Sequence, residues 1–187
     1  MLLSGSGNPA TGRHWPKLED PEQELEENLL KLRPEMSSLP SSAERYDYVI
    51  EYDLFELKPG IDSRGFLTKA DLQAVADWKS PRSAGHIAKN SPKFVKEITR
   101  FTLSAHEERS RIEVLRLLHG VEWPMASVIL HFYHSMPYPI LDYRALYTVG
   151  MDVPNQYSFA LWWQYVEFCR ALAKRSGLDM RELDKAL

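Results

Sequence analysis

A chain of 187 residues with 44% hydrophobic residues, 26% charged residues and a formal net charge of −3 fits one globular domain with a real core, plus an extension. The single cysteine, Cys169, excludes a four-cysteine iron–sulfur cluster and a cysteine-based zinc site, and no apolar run is long enough to span a membrane. The opening Met1-Leu2-Leu3 is too short for a signal peptide, so a soluble, reduced, cytoplasmic protein with no membrane partner and no cofactor is expected.

Residues 1–17 are small, polar and punctuated by Pro and Gly, the composition of a tail. Residues 18–35 are acidic, with a helical pattern at Leu25, Leu29, Leu30 and Leu32 that Pro34 ends, and residues 37–42, SSLPSS, read as a linker. The expected division is therefore a flexible or surface-draped extension over 1–42, carrying a short acidic helix, and a helical domain over 43–187. The domain's first helix is expected over 43–57, stopped by Pro59-Gly60. Thr68 caps a second through Trp78, Pro81 to Lys89 forms a short third, and Ser91-Pro92 opens a fourth with Phe94, Ile98, Phe101 and Ala105 along one stripe.

Two apolar-periodic segments follow, 107–119 and 124–135, separated by Gly120-Val121. A glycine just past a helix end, a valine able to plug the turn and Pro124 early in the next helix spell helix, tight turn, helix. Pro137 and Pro139 then force an extended stretch that delivers Asp142 immediately before a helical pattern over Tyr143 to Val149. A long helix over about 157–175 stacks Phe159, Trp162, Val166 and Cys169, and Gly177 ends it before a last short turn with Leu178, Met180 and Leu183. Strand alternation is scarce, Tyr46 to Tyr52 being the one rival, so the expected fold is all-α, a bundle of short helices packed at varied angles.

Leu118-His119-Gly120-Val121 followed by Pro124-Met125-Ala126-Ser127 resembles the hairpin of the helix-hairpin-helix (HhH-GPD) superfamily of base-excision DNA glycosylases, whose pattern reads roughly L-P-G-V-G-x-K-x-A. That family carries an aspartate eighteen positions after the lysine slot; the slot here is Pro124, and Asp142 falls on the aspartate. The resemblance implies a DNA-glycosylase-like helical domain, duplex DNA as partner, and hydrolysis of the N-glycosidic bond of a damaged or modified base. The chain departs from the pattern at three places. Pro124 replaces the Schiff-base lysine, which leaves monofunctional hydrolysis; Glu122 replaces the second hairpin glycine, where backbone N–H groups approach a phosphate; and Tyr143-Arg144 follow the aspartate in place of a small or β-branched residue and His.

Charge is uneven: residues 18–62 hold thirteen Asp/Glu against four Lys/Arg, and residues 78–116 hold nine Lys/Arg against four Asp/Glu. Cations on helices are ordinarily a solvated face, yet a concentration leading into a hairpin also suits a duplex-binding surface. On that reading Gly120, Val121, Ser127, Lys79, Arg82, Arg109 and Arg111 contact DNA. Cleaving an N-glycosidic bond passes through an oxocarbenium-like sugar that a carboxylate stabilises, the role assigned to Asp142, which also reads as a plain helix N-cap. The base must leave the duplex for an aromatic pocket, for which Tyr133, His134, Tyr138, Tyr143 and Trp162 are the candidate walls, although aromatics at helical spacing also serve as core. His131 and His134 share a helix face but lack a third ligand, so no metal is expected. Two other readings stay open, a noncatalytic DNA-binding protein on the same scaffold and a helical protein-interaction module.

Overall fold

The computed structural model describes residues 27, 29–45, 51–153 and 155–187. Among them every regular element is helical, and no strand occurs. After a short 3-10 turn at Met36–Ser38 come α1 (Leu39–Glu44), α2 (Tyr52–Arg64), α3 (Lys69–Lys79), α4 (Pro81–Ile87), α5 (Pro92–Ser104), α6 (Glu108–Leu115), α7 (Trp123–Tyr133), α8 (Tyr143–Thr148), α9 (Phe159–Ser176) and α10 (Met180–Ala186). The tail over 1–17 and most of the acidic segment and of the rival strand lie outside the described residues.

α7 is the axle. Trp123, the run from Met125 to Leu130, Phe132 and Tyr133 are all buried, so this helix is apolar on nearly every side, the pattern of a helix surrounded by others. α2, α3 and α6 pack around it, α4 and α5 lean on α3, and α9 carries α10, which in turn holds α1. α9 turns Trp162, Tyr165, Val166, Phe168, Cys169 and Leu172 inward. That single core is continuous from Leu39 to Leu183.

Local signals govern most boundaries. Thr68 and Asp71 form a reciprocal capping box at the start of α3, Ser91 caps α5 through the Phe94 N–H, and α9 closes at Gly177. Three expectations need correction. Residues 37–42 are not a linker: they form the 3-10 turn and the start of α1, because Leu39 is fully buried against the body and Pro40 sits in the first turn, where its missing N–H costs nothing. Pro59-Gly60 does not stop α2, which runs five residues past Pro59 to Arg64 and closes at Gly65 in the left-handed conformation (φ 72°). The fully buried Ile61 and the ion pair between Arg64 and Asp71 reward that extra turn. On α5 the buried stripe is Val95, Thr99 and Thr102, while Phe94 and Phe101 are exposed. Thr99 enters the core because its hydroxyl is satisfied, accepting from the Leu67 N–H (3.0 Å) and donating to the Val95 carbonyl (2.8 Å).

Candidate functional site

The segment between α6 and α7 is a hydrogen-bonded turn. α6 ends at Leu115, four residues before the expected end, and N–H groups of Leu117, Leu118 and Val121 donate to the carbonyls of Val114, Leu115 and Leu118. Gly120 has φ 82°, and Val121 is plugged into the core. The turn is fastened to α4 by a side chain that sequence reasoning missed. Asn90, itself buried, donates from Nδ2 to the carbonyls of His119 (2.9 Å) and Ile87 (3.2 Å) and accepts from the His119 N–H at 2.9 Å. Nothing in the local pattern flags it, since an Asn before Ser-Pro is ordinary loop chemistry. Glu122 is exposed, and its carboxylate accepts from Arg116 (Nε 3.2 Å, Nη2 3.1 Å), whose guanidinium lies over the Trp123 ring. The negative charge of Glu122 thus has a cation of the same turn beside it, in an exposed pair.

Asp142 stands at the N-cap of α8. One carboxylate oxygen accepts from the Arg144 N–H at 3.0 Å and the other from Lys79 Nζ at 3.1 Å. The side chain of Asp142 remains 37% exposed, against 16% for Lys79. The extended stretch before it is pinned residue by residue: His131 Nδ1 meets the Tyr138 carbonyl at 2.6 Å, the Ile140 N–H donates to Asp184 (2.8 Å), and the Leu141 N–H donates to Ser127 Oγ (2.8 Å). Ser127 Oγ donates in turn to the Pro124 carbonyl (2.8 Å), so the first turns of α7 and the residue before Asp142 are joined through one hydroxyl. Tyr157 is also close: burial, and then the charge of Asp142, raise its phenol above the ordinary range.

Several expected contacts have other duties. Ser127 and Val121 were expected at a DNA surface but are buried, Ser127 with both hydrogen bonds internal. Arg111, expected on the same surface, is drawn inward: Nε donates to the Ala105 carbonyl (2.8 Å), and Nη1 to Glu108 (3.0 Å) and to the Tyr138 hydroxyl (2.7 Å). Lys79 is engaged with Asp142. Arg82 is exposed, and Arg109 is exposed with Glu113 beside it at 2.9 Å and its guanidinium over the Phe159 ring.

The expected pocket walls are mostly core. Tyr133 is buried and donates to the Leu54 carbonyl, Tyr138 is buried with its hydroxyl on Glu108 (2.5 Å), and Trp162 is buried and stacked on the Tyr138 ring at 5.7 Å. The aromatic spacing that suggested a pocket is the packing code of α7 and α9 seen from inside. Tyr143 alone of the five is exposed, beside Asp142, with Arg144 donating to its hydroxyl.

His134 is buried, accepts the Met136 N–H on Nδ1 at 2.9 Å, and is pushed down to about 4 by burial and by the neighbouring Arg111. Its folded pKa lies below the roughly 6.5 of an unfolded histidine, so its contribution to stability is complete above about pH 6.5 and is lost as pH falls through about 4. A urea titration is expected to show stability falling over that interval, by on the order of 2 kcal/mol less in His134→Asn, whose amide oxygen can still accept the Met136 N–H. Burial pushes His131 down as well.

Among the described residues no group of three His, Cys, Asp or Glu is placed to hold a metal ion, and no helix is long and apolar enough to cross a membrane. Comparison with protein-family models, curated proteins and solved structures gives no significant match to this chain.

Proposed function

We propose that the protein is a DNA-binding protein of the helix-hairpin-helix glycosylase type, using Asp142 to hydrolyse the N-glycosidic bond of a damaged or modified base without a Schiff-base lysine. The observation that carries the reading is the position of Asp142: eighteen residues after Pro124, tied back to the first turns of α7 through Ser127, and partly open to solvent. Each carboxylate oxygen receives one donor, Lys79 on one and the Arg144 N–H on the other, which leaves lone pairs free for an incoming group. A carboxylate held in this way faces the positive charge that develops on the sugar and orients or deprotonates the attacking water. Arg82, exposed three residues beyond Lys79, and Arg109 supply cations for the phosphates.

A second reading, a noncatalytic DNA-binding protein on the same scaffold, is favoured by the burial of Tyr133, His134, Tyr138 and Trp162, which leaves Tyr143 as the one surface-exposed member of the expected base pocket. The two readings separate in one sequence of measurements. Fluorescence anisotropy with a duplex carrying a stable abasic analogue, beside the intact duplex, is expected to show tighter, salt-weakened binding to the abasic form. Single-turnover excision from duplexes bearing damaged bases is then expected to fall by roughly 10²-fold or more in Asp142→Asn. Asparagine caps a helix as well as aspartate does, so the melting temperature serves as the control. Binding that survives with no excision from any damaged base selects the noncatalytic reading, and no binding to either duplex at low salt sinks both.

A further inference from the structure

α5 carries a surface that neither the hairpin nor Asp142 uses. Phe94 and Phe101 lie on its exposed side at 37% and 49% exposure, two turns apart and hence roughly 10 Å along the axis. Beside them is an open groove of about 520 Å³ lined by Lys93, Lys96, Glu97, Arg100, Phe101 and Ser104. Lys96 and Arg100 are like charges at i, i+4, a spacing that costs free energy on an isolated helix. Both nevertheless converge on one side, each 4.8 Å from the centre of the Phe66 ring, with Arg64 at 5.7 Å from the same ring. Arg64 is paired with Asp71 and Lys93 lies 4.0 Å from Glu97, whereas no carboxylate among the described residues is within salt-bridge distance of Lys96 or Arg100. Two cations held together with no carboxylate paired to them, Glu97 of the same groove lying toward Lys93, and two exposed phenylalanines beside them form a combination that single-stranded nucleic acids bind: phosphates on the cations, bases stacked on the rings.

We propose that the exposed face of α5 is a binding site for a single-stranded nucleic acid, with Lys96 and Arg100 on its phosphates and Phe94 and Phe101 under its bases. A duplex keeps its base faces covered and offers these rings nothing to stack on. An anionic membrane matches the cations but not the rest, because Glu97 lies one turn from each phenylalanine and would have to follow them into the lipid. The site does not depend on the hairpin reading. It lies on a different helix, and a strand binds there whether or not Asp142 performs chemistry.

The test is an anisotropy titration of the full chain with a short fluorescein-labelled oligothymidylate, with the matched duplex and with vesicles of equal phosphatidylserine and phosphatidylcholine in parallel. The oligothymidylate is expected to bind at low salt and more tightly than the duplex. In Lys96→Ala/Arg100→Ala the slope of log affinity against log salt should shrink by about 0.7 for each cation removed. Phe94→Ala/Phe101→Ala should weaken binding roughly tenfold or more with the slope unchanged, the signature of lost stacking. All four side chains are exposed, so circular dichroism of both variants is expected to match the parent, and Asp142→Asn leaves this binding intact. Absence of binding at low salt, affinity that neither variant alters, or attachment to vesicles without attachment to the oligonucleotide would each overturn the proposal.

Discussion

Gly120→Ala is expected to lower the unfolding free energy by about 3 kcal/mol, measured by urea denaturation. Two costs combine. An alanine in the left-handed region costs about 1–2 kcal/mol, and the residue sits at φ 82°. Its Cβ would also meet His86 Cβ at 3.0 Å and both Ile87 Cδ1 and the Ser83 carbonyl oxygen at 3.1 Å. The isoleucine tip can swing aside, but the carbonyl belongs to the backbone of α4, and overpacking of this kind costs about 1–3 kcal/mol. On the proposed function the loss should also weaken DNA binding, since a turn that backs away from α4 strains the two-way clamp of Asn90. Gly85→Ala on the same α4 is the matched control: nothing lies within 4 Å of its added Cβ, and a small gain of about 0.5 kcal/mol is expected for a helix-interior glycine replaced by alanine. A comparable loss in both variants would show that α4, rather than the seating of the turn on it, is what fails.

Glu108→Ala is the second large effect, expected at about 3 kcal/mol. Glu108 accepts from the Tyr138 hydroxyl (2.5 Å) and Arg111 Nη1 (3.0 Å), with Arg170 Nη1 3.6 Å away. Its removal takes the carboxylate partner from a largely buried guanidinium and the acceptor from a buried phenol O–H, although Arg111 keeps the Ala105 carbonyl and the Tyr138 hydroxyl. An acceptor lost in such a buried cluster costs more than the bond contributed. The pair Glu108→Ala and Tyr138→Phe should be non-additive by about 1 kcal/mol, because the phenylalanine removes the same bond. This cycle also bears on the expected base pocket: if Tyr138 contacted a base, Tyr138→Phe would alter discrimination among substrates more than stability, whereas the burial of its hydroxyl among Glu108 and Arg111 anticipates the reverse.

The features readable in the sequence are those decided within one turn of chain. Thr68, Ser91, Asp142 and Gly177 mark helix ends in the structure as their chemistry dictates, because a cap depends on a side chain and an N–H group two or three residues away, or on the tolerance of one backbone angle. The position of Asp142 at a helix start was legible for the same reason. What stayed hidden was decided by distant partners. Whether Pro59 ends a helix depends on what Ile61 finds two residues later, and whether Thr99 is core depends on an N–H from residue 67. The phase of α5 differs from the expected stripe of Phe94, Ile98, Phe101 and Ala105: Thr99 is held inside by its two hydrogen bonds, and the rings of Phe94 and Phe101 are left outside. The aromatic walls show the opposite ambiguity: Tyr133, Tyr138 and Trp162 have the composition of a pocket and the burial of a core, and composition does not distinguish the two.

The Ser127 hydroxyl, bonded to the Pro124 carbonyl on one side and the Leu141 N–H on the other, makes the hairpin helix and the Asp142 corner a single stiff lever. On the proposed function, a ligand seated against the turn would meet the carboxylate at a standoff already set, with less conformational entropy to lose at the encounter. The same stiffness removes a degree of adjustment. On the proposed function, a substrate would be brought to the carboxylate by its own deformation, and selectivity at this corner would be exercised on the flexibility of what binds.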